Sequence, residues 1–367
     1  MSTINLDVYQ IDRCKSPPLD VTEFLKTMKT SLFYALPEYH QLLRETLKAK
    51  LYYFVARNSH TEVVGVLPSM LSQDFGLGPV MNSLPYFGSI GGVITVCGRV
   101  KNAVEQAYFR FSEELGCVSA NLINSPFSNI DVSLESISPL KLTQYNAVFF
   151  AEARNCQISS LDQDINGFEG FHTSRKRNIK KAIQSEIIIS KSRDLGALKD
   201  VYKYHKENIE AINGTSKKWS FFEKIPSYIP SENYQVYLAH YDGRVIGGLL
   251  LFYCNETVEY FTPASDTNLR FLQAMSLLIY QGMSDAKAKG YRYWNWGGTW
   301  ASQKGLYDFK SRWGAKDYKY DYIICVYKPA VLHLTKQEIL EKYPGFYVCP
   351  FSELIRKENT CSKVGVK

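Results

Sequence analysis

Several patterns that would assign the chain to a class at once are missing from it. None of its eight cysteines belongs to a C-x-x-C pair, which argues against a zinc knuckle. Scattered cysteines without a pairing pattern instead predict reduced thiols and a cytoplasmic protein. No uninterrupted apolar run reaches about 18 residues, so no membrane span is predicted. The first residues, Met-Ser-Thr-Ile-Asn-Leu-Asp, have neither a basic segment nor an apolar core, so we also expect no signal peptide.

Familiar catalytic signatures are missing as well. The sequence contains no G-x-S-x-G elbow, no H-E-x-x-H pair and no Walker phosphate loop. It therefore gives no support for a hydrolase, a zinc protease or a nucleotide hydrolase. Histidines are few, and we expect His172, His205 and His240 to be structural or exposed rather than catalytic. No metal cofactor is predicted.

What the chain does have is length, a modest positive charge and many aromatic residues. Its 367 residues are too many for one typical domain and suit two. The formal net charge of +7 fits ligands that carry phosphate, but it does not require nucleic acid. Aromatic residues make up 14% of the chain, which fits either a deep cleft for an extended ligand or a large aromatic core.

The most informative stretch of the chain is predicted to form a helix, a strand, a double glycine and a second helix. Apolar residues at helical spacing predict a helix over 270–289. An aromatic strand over 291–296 follows, and we expect Gly297 and Gly298 to end it. Helical spacing resumes over 302–313. A strand that ends beside a new helix is where α/β folds usually place a ligand.

The rest of the chain is predicted to alternate helices and strands. Further helices are predicted over 21–30, 37–48, 99–115, 172–184 and 195–212, and strands over 51–57, 62–70, around 80, 117–123, 146–153, 187–190, 235–240, 245–253, 258–262 and 320–327. The segments 63–67 and 245–249 read Val-Val-Gly-Val-Leu and Val-Ile-Gly-Gly-Leu, and both fall in the second strand of a meander. This repeat and the shared order of elements predict two tandem domains.

The polar, glycine-containing segment 162–170 is the best candidate linker between the two. We therefore predict an N-terminal domain over residues 1–165 and a C-terminal domain over 166–330 that carries the donor site. Residues 331–367 are predicted to form a partly helical tail.

The motifs around the double glycine, taken in order, resemble one protein family. Trp-Asn-Trp-Gly-Gly ends at Gly298 and is followed by Lys304-Gly-Leu, by Phe309-Lys310 and by Trp313-Gly. This order and spacing resembles the FemA/FemB-like branch of the GNAT superfamily, whose relatives include two-domain N-acetyltransferases of polysaccharide biosynthesis. The Val-Gly-Val-Leu-Pro run in the first half is similar to the family's N-terminal strand. The resemblance covers about residues 35–328.

The resemblance implies an α/β (α+β) fold with two tandem GNAT-like domains, each a mixed, mostly antiparallel sheet flanked by helices. It also implies transfer of an acyl group to an amine in a cleft between the domains. Two donors are used in such families, acyl-CoA and aminoacyl-tRNA. The glycine-rich pyrophosphate loop of ordinary GNAT enzymes is missing, because residues 268–274 read Asn-Leu-Arg-Phe-Leu-Gln-Ala. A long heptad-bearing helical hairpin, which some aminoacyl-tRNA users insert, is missing too, and this favours acyl-CoA.

Lys310 matches the family's Phe-Lys and is the leading catalytic candidate, either holding phosphate or polarising the developing oxyanion. The alternative is a solvated lysine on an amphipathic helix, and we expect Lys310→Ala to reduce activity far more than stability. Tyr307 and Asp308 are candidate proton donors or acceptors, although Tyr307 also suits a core position and Asp308 the first helical turn. Glu259 stands where many GNAT enzymes place a base, but it faces away from the cleft if Tyr260 faces it.

The donor site is predicted where the third meander strand ends and the next helix begins. A splayed strand there would bind the pantetheine arm and place the thioester near Tyr260 and Thr262, whereas the alternative is an ordinary strand end. Backbone amides at a helix N-terminus hold phosphate even without glycines. The cofactor-binding candidates at that terminus are Arg270, Phe271, Leu272 and Gln273.

The acceptor site has candidates in three places: a basic helix, a loop interrupted by glycine and proline, and the double glycine itself. The basic helix would grip the diphosphate of a nucleotide sugar, unless it is simply a solvated helix face. The loop is similar to the family's pocket loop and would stack a tyrosine on a sugar or a base, unless it is a plain turn. The candidates are Arg175 and Arg177 in the helix, Tyr86 and Phe87 in the loop, and Trp296, Gly297 and Gly298.

The expected function is therefore N-acetyl transfer from acetyl-CoA to the amine of a UDP-linked amino sugar, for a surface polysaccharide such as an O-antigen. The expected partners are acetyl-CoA and that nucleotide-linked amino sugar, without nucleic acid. One alternative is an aminoacyl-tRNA-dependent transferase that acts on a peptidoglycan precursor. Another is a non-catalytic protein of the same fold that binds a sugar nucleotide. The sequence predicts no oligomeric state.

Overall fold

The computed structural model describes residues 4–11, 16–29, 31–84, 90–125, 147–212, 214–300 and 303–355. The acceptor-loop candidates Tyr86 and Phe87 lie outside these residues. Within the described ranges, no helix combines the length and the apolar character needed to cross a membrane.

A single mixed sheet of twelve strands runs through the described part of the chain. The strands in chain order are β1 (Asn5–Ile11), β2 (Lys50–Arg57), β3 (Val63–Leu71), β4 (Val80–Asn82), β5 (Ser119–Ile123), β6 (Val148–Ser160), β7 (Ile188–Ser192), β8 (Tyr234–Tyr241), β9 (Arg244–Cys254), β10 (Thr257–Ser265), β11 (Tyr293–Thr299) and β12 (Lys316–Val326). Only the pairs β4–β5 and β10–β11 are parallel in this sheet, so the predicted mixed, mostly antiparallel sheet is confirmed.

Helices lie along the sheet and at its ends. In chain order they are α1 (Leu19–Thr27), α2 (Pro37–Leu47), α3 (Gly98–Glu114), α4 (Thr173–Gln184), α5 (Leu195–Glu210), α6 (Trp219–Tyr228), α7 (Ala274–Ala288), α8 (Lys304–Ser311) and α9 (Lys336–Lys342). Local sequence explains several of their starts. Proline opens α2, where its missing N–H would have no helical partner in any case. Asp194 caps α5 by accepting a hydrogen bond from the backbone N–H of Ala197 at 2.7 Å.

The strand order reveals an exchange between the two halves of the chain. The order across the sheet is β1-β2-β3-β4-β5-β12-β6-β11-β10-β9-β8-β7. Each half contributes six strands, and the last strand of each half pairs with the fifth strand of the other: β12 pairs with β5, and β6 with β11. The two exchanged strands also pair with each other along the whole length of β12. A tandem α/β fold is therefore confirmed, although the two expected sheets are joined into one.

Aromatic packing also links the halves. Phe33 lies in a short 3-10 turn before α2 and stacks on Phe252 of β9, with ring centroids 4.0 Å apart. Tyr39 of α2 lies at 5.1 Å from the same Phe33 ring. All three rings are buried. Large aromatic side chains bury much apolar surface, so this cluster fixes the N-terminal helices against the second half of the sheet.

Several sequence predictions of local structure are wrong. The strand β11 does not end before the double glycine but continues through it to Thr299. The strand β6 runs to Ser160 instead of ending at Ala153. The segment 270–273 is not the start of α7, since a 3-10 turn ends at Leu272 and Gln273 adopts φ +62°. The strand β1 and the helix α6 were not predicted at all.

Candidate active site

The parallel strands β10 and β11 separate partway along their length. They pair in register from Thr257 with Tyr293 to Glu259 with Asn295, and the pairing ends there. Both strands nevertheless continue, β10 to Ser265 and β11 to Thr299. A shift in register between Tyr260 and Thr262 marks a bulge in β10 just beyond the last pair. Bulges change the direction and the twist of a strand, so this one accompanies the opening of a V-shaped gap in the sheet.

The double glycine forms an irregularity on the other side of this gap. The register of β11 against β6 shifts between Asn295 and Gly298, and Gly297 adopts φ +73°, a conformation that glycine tolerates without steric cost. The side chain of Asn295 accepts a hydrogen bond from the Gly297 backbone N–H at 2.8 Å. The two glycines therefore bend a strand that continues beyond them.

Lys310 of α8 contacts this bend through its side chain. Its Nζ donates to the carbonyl oxygens of Gly297 and Gly298, each at 3.2 Å, and to Oγ1 of Thr299 at 2.8 Å. Only 3% of the residue is exposed. Burial lowers the pKa of the ammonium group to about 8, and nearby Cys156 acts in the opposite direction. Lys310 thus fixes the path of the backbone at the double glycine.

A cavity of about 270 Å³ occupies the place where the strands separate. Its walls come from four neighbouring strands and from the 3-10 turn before α2, so both halves of the chain contribute. Most of the lining side chains are aromatic. The lining residues are Tyr34, Arg154, Tyr260, Phe261, Trp296, Gly297, Gly298, Thr299, Trp300, Tyr320 and Tyr322. A concave site lined by aromatic side chains together with polar groups is a common form of ligand site.

Glu259 lies behind the cavity wall, at the last paired position of β10. It is 1% exposed, and its Oε2 accepts a hydrogen bond from the Asn295 side chain at 2.8 Å. Burial raises the pKa of its carboxyl group to about 8, although hydrogen bonds from Asn295 and Tyr34 oppose the shift. Tyr260 lines the cavity and Glu259 does not, as expected for adjacent residues of a strand. At neutral pH this carboxyl group is therefore largely protonated.

Arg154 is the charged side chain of the cavity wall. It lies on β6 and is 8% exposed. Its Nη2 donates to Oε2 of Glu152 at 2.7 Å, and its Cζ lies 3.3 Å from the centroid of the Trp300 ring and 4.8 Å from that of Tyr322. Arginine stacks readily on aromatic rings while its N–H groups stay available at the edge.

The predicted donor residues fall in two places. Tyr260 lines the cavity, and Thr262 is fully buried, with no hydrogen-bond partner for its Oγ1 within the described part of the chain. The other four candidates form the junction between the 3-10 turn and α7. There Arg270 and Phe271 are exposed and Leu272 is buried, while the Gln273 side chain donates to the Arg270 carbonyl oxygen at 3.1 Å.

The structure separates the three predicted catalytic residues. Lys310 points inward to the double glycine. The hydroxyl of Tyr307 points elsewhere and donates to Oδ2 of Asp317 at 2.7 Å, a bond that raises the pKa of Tyr307. Asp308 lies at a half-buried position of the same helix. None of Lys310, Tyr307 and Asp308 is among the residues that line the cavity, and the ammonium group of Lys310 donates to protein oxygens instead of facing a ligand.

The predicted acceptor residues are divided as well. Trp296, Gly297 and Gly298 line the cavity. The two arginines of α4 point in different directions, because Arg177 is exposed whereas Arg175 is buried, with its Cζ 5.3 Å from the centroid of the Phe309 ring. Burial and the neighbouring Arg312 and Arg177 lower the pKa of Arg175. The predicted basic cluster is therefore split between the core and the surface.

Sequence reasoning missed several residues of the cavity. Arg154 follows the predicted end of its strand directly, so its position on β6 was not recognised. The sequence Ala153-Arg154-Asn155 gives no local signal that the strand continues. Tyr34 is separated from β10 by more than 200 residues and carries no local signal. Tyr320 and Tyr322 were predicted to lie in a strand, but not to line the site.

Comparisons with known proteins agree with this fold. Residues 174–320 match the family described as acetyltransferase (GNAT) domain. A crystal structure of FemX superposes with a TM-score of 0.66 at 13% identity, covering 91% of this chain and 99% of that one. A tandem GNAT protein from the clavulanic acid biosynthesis pathway gives 0.54 at 12% identity, covering 88% and 98%. L-PGS from Bacillus licheniformis gives 0.54 at 11% identity, covering 86% and 93%. No curated protein matches the sequence.

At these identities the solved structures establish the fold alone. The fold is GNAT-like, and together with the family match it supports an acyltransferase of the GNAT superfamily. The residues matched by the family, 174–320, contain β10, β11 and α8. They therefore include the gap between the strands, the double glycine and Lys310.

Proposed function

We propose that the protein transfers an acyl group from an acyl-CoA, acetyl-CoA in the first instance, to the amine of a nucleotide-linked amino sugar. The observation that carries the proposal is the separation of β10 from β11 next to a largely aromatic cavity. An extended chain can add to a strand whose neighbour has moved away, using the backbone hydrogen-bonding groups left free. The pantetheine arm of CoA is such a chain, and its thioester would reach the cavity.

The reaction joins the amine nitrogen to the thioester carbonyl carbon and breaks the carbon–sulfur bond. The sulfur leaves as the thiol of CoA, and the amine loses one proton. The residues of this chain contribute by position: Lys310 fixes the bend at Gly297 and Gly298, and the aromatic side chains of the cavity shape the space beside it. Hydrogen-bond donors held in a fixed position stabilise the developing negative charge on the carbonyl oxygen without reorganising during the reaction.

An amino sugar suits the walls because sugar rings present flat apolar faces to aromatic side chains. Tyr260 and Trp296 have ring centroids 4.9 Å apart and form one such wall. The UDP carrier and a role in surface polysaccharide or O-antigen synthesis belong to the proposal through the sequence resemblance. The assignment of the phosphates to the 3-10 turn that precedes α7, where Arg270 is exposed, belongs to the proposal through the same resemblance.

Aminoacyl-tRNA-dependent transfer to a peptidoglycan precursor is the second candidate function. The exposed face of α4 favours it, because Lys176, Arg177, Lys180 and Lys181 line one surface groove. Several basic residues on one helix face attract a phosphate backbone. A non-catalytic protein that binds a sugar nucleotide through the same cavity remains the third alternative.

Thermal unfolding with and without millimolar acetyl-CoA tests the donor. A ligand at about 100 times its dissociation constant stabilises the folded state by about 2.7 kcal/mol, which corresponds to an increase of several degrees in the unfolding midpoint. Desulfo-CoA is a control for binding without a reactive thioester. A shift with acetyl-CoA, followed by thiol release when UDP-linked amino sugars are added, supports the proposal.

Other outcomes point to the alternatives. If acetyl-CoA causes no shift and releases no thiol, the acyl-CoA proposal is wrong, and charged tRNA becomes the next donor to test. Binding of a UDP-sugar without turnover of any donor would identify the non-catalytic protein. The variant Lys310→Ala should reduce thiol release, because Lys310 contacts the double glycine. Its matched control is Lys304→Ala, since Lys304 is exposed at the start of the same helix.

A further inference from the structure

Arg154 is a buried, charged residue in the wall of the cavity. Its side chain is more than nine-tenths buried and lines the cavity wall. The other lining residues are aromatic, threonine or glycine, so Arg154 supplies the formal charge of the wall. Burial of a charged side chain is costly unless the charge is used or paired. The contacts of the Arg154 guanidinium group therefore decide whether its charge is fully paired within the protein.

Its protein partners leave part of the guanidinium group available. Nη2 donates to Glu152 Oε2 at 2.7 Å, and Nη1 makes a long contact of 3.5 Å with the carbonyl oxygen of Ala153. These two contacts use two of the five N–H donors that an arginine carries. No further hydrogen bond of Arg154 joins it to another described residue, and its stacking on Trp300 leaves the donor edge of the group free.

The pairing with Glu152 orients the guanidinium group. The same Oε2 of Glu152 also accepts a hydrogen bond from the hydroxyl of Tyr347. Tyr347 is in turn fixed by Asn82, whose Oδ1 accepts from the Tyr347 backbone N–H at 2.8 Å and whose Nδ2 donates to the Tyr347 carbonyl at 2.9 Å. Glu152 thus accepts hydrogen bonds from two donors and restrains the orientation of Arg154, a residue that lines the cavity.

We propose that Arg154 binds a negatively charged group of the acceptor, a carboxylate or a phosphate, so that the acceptor is an acidic amino sugar. This inference depends on the proposed acyl transfer, since it assigns the acceptor of the same site. The planar guanidinium edge matches the oxygen pairs of both groups and forms charge-assisted hydrogen bonds with them. The aromatic walls receive the sugar ring.

The size of the cavity limits what enters it. At about 270 Å³ it lies below the 300–1,000 Å³ common for complete ligand sites. One sugar ring with its acidic group fits this volume, whereas a whole nucleotide sugar does not. If the negative group is the phosphate of a nucleotide-linked sugar, the rest of the nucleotide lies outside. If it is a carboxylate, it belongs to the sugar itself.

Three probe sugars test the proposal and separate the two sources. Glucosamine has no acidic group, glucosamine 1-phosphate carries a phosphate, and glucosaminuronic acid carries a carboxylate. Their dissociation constants are measured by calorimetry with free CoA present, so that no turnover is needed. A charge-assisted hydrogen bond to a buried arginine favours at least one acidic probe over glucosamine by about 10- to 100-fold. The preferred probe identifies the source of the charge.

Variants then assign the preference to Arg154. Arg154→Gln should weaken binding of the preferred acidic probe to the level of glucosamine and leave glucosamine itself unchanged. The matched control is Arg292→Gln, because Arg292 is half-exposed and lies outside the cavity wall. If Arg154→Gln does not fold, Arg154→Lys and Tyr347→Phe provide the test. Both should reduce the preference for the acidic probe severalfold. Arg154→Lys removes the planar pair of N–H donors, and Tyr347→Phe removes a hydrogen bond that positions Glu152.

The outcomes are distinct from those of the donor experiment. The proposal is overturned if neither acidic probe binds more tightly than glucosamine, or if the variants weaken all three probes equally. Failure of acetyl-CoA to stabilise the protein would refute the acyl-CoA proposal but would leave the probe comparison intact. Conversely, Arg154→Gln should keep the full acetyl-CoA shift in the unfolding midpoint.

Discussion

The buried carboxyl group of Glu259 makes the stability of the protein depend on pH in a way that one substitution abolishes. Burial raises its pKa from 4.5 to about 8. The folded state therefore holds a proton that the unfolded chain releases above pH 4.5, and stability falls as pH rises from 4.5 to 8. The slope is about 1.4 kcal/mol per pH unit, and the total loss is about 5 kcal/mol.

Glu259→Gln replaces the protonated acid with a neutral group of nearly the same shape. The variant should match the wild type near pH 5 and become more stable than it at higher pH. The difference in the free energy of unfolding should grow by about 1.4 kcal/mol per pH unit between pH 5 and 7.5. Urea denaturation at pH 5.5, 6.5 and 7.5 measures it directly, because groups common to both proteins cancel.

The control is Glu223→Gln, which makes the same chemical change at an exposed position of α6. It should leave the difference in stability from the wild type independent of pH. A constant difference for Glu259→Gln across the three pH values would refute the reasoning. It would mean that Glu259 is ionised in the folded state at pH 5.5, and that Asn295 and Tyr34 compensate its burial fully.

Two further predictions concern packing and the double glycine. Lys310→Ala removes a buried donor from two carbonyl oxygens and from Oγ1 of Thr299. We expect it to lower the free energy of unfolding by about 1–3 kcal/mol and to reduce thiol release. An unchanged free energy of unfolding in urea denaturation would show that these three hydrogen bonds contribute little. Phe33→Ala removes the ring stacked on Phe252 and should cost about 3–5 kcal/mol in the same assay. The control Phe351→Ala, at a residue 38% exposed, should cost far less, and equal losses would contradict the packing account.

Much of the local structure could be predicted because its signals are local. Helical spacing of apolar residues correctly placed α3 and α5, and Asp242-Gly243, a dipeptide common in two-residue hairpin turns, lies between β8 and β9. The strand β1 escaped prediction because it forms by pairing with β2, about 45 residues later in the chain. The helix α6 escaped it because Pro226 lies inside the helix and usually indicates a break.

The candidate site was only partly predictable, since it is assembled from distant parts of the chain. Tyr260 and Trp296 were predicted from their own strands, and both line the cavity. The cavity also needs Arg154 and Tyr320, which meet because β6 and β12 are exchanged between the halves, and Tyr34, which lies in the 3-10 turn before α2. No local pattern specifies such an exchange. Lys310 was identified from the sequence, but its burial against the double glycine depends on packing of α8 that periodicity does not reveal.

The strand exchange also has a consequence for how the protein is made. While the ribosome is still synthesising the second half, the first half has no strand to cover the outer edge of β5, because its neighbour β12 begins at Lys316. The strand β6 likewise lacks both of its final neighbours until residues 293–326 have emerged. Open strand edges invite pairing with other chains. The nascent chain therefore exposes open edges of β5 and β6 until β11 and β12 have been synthesised.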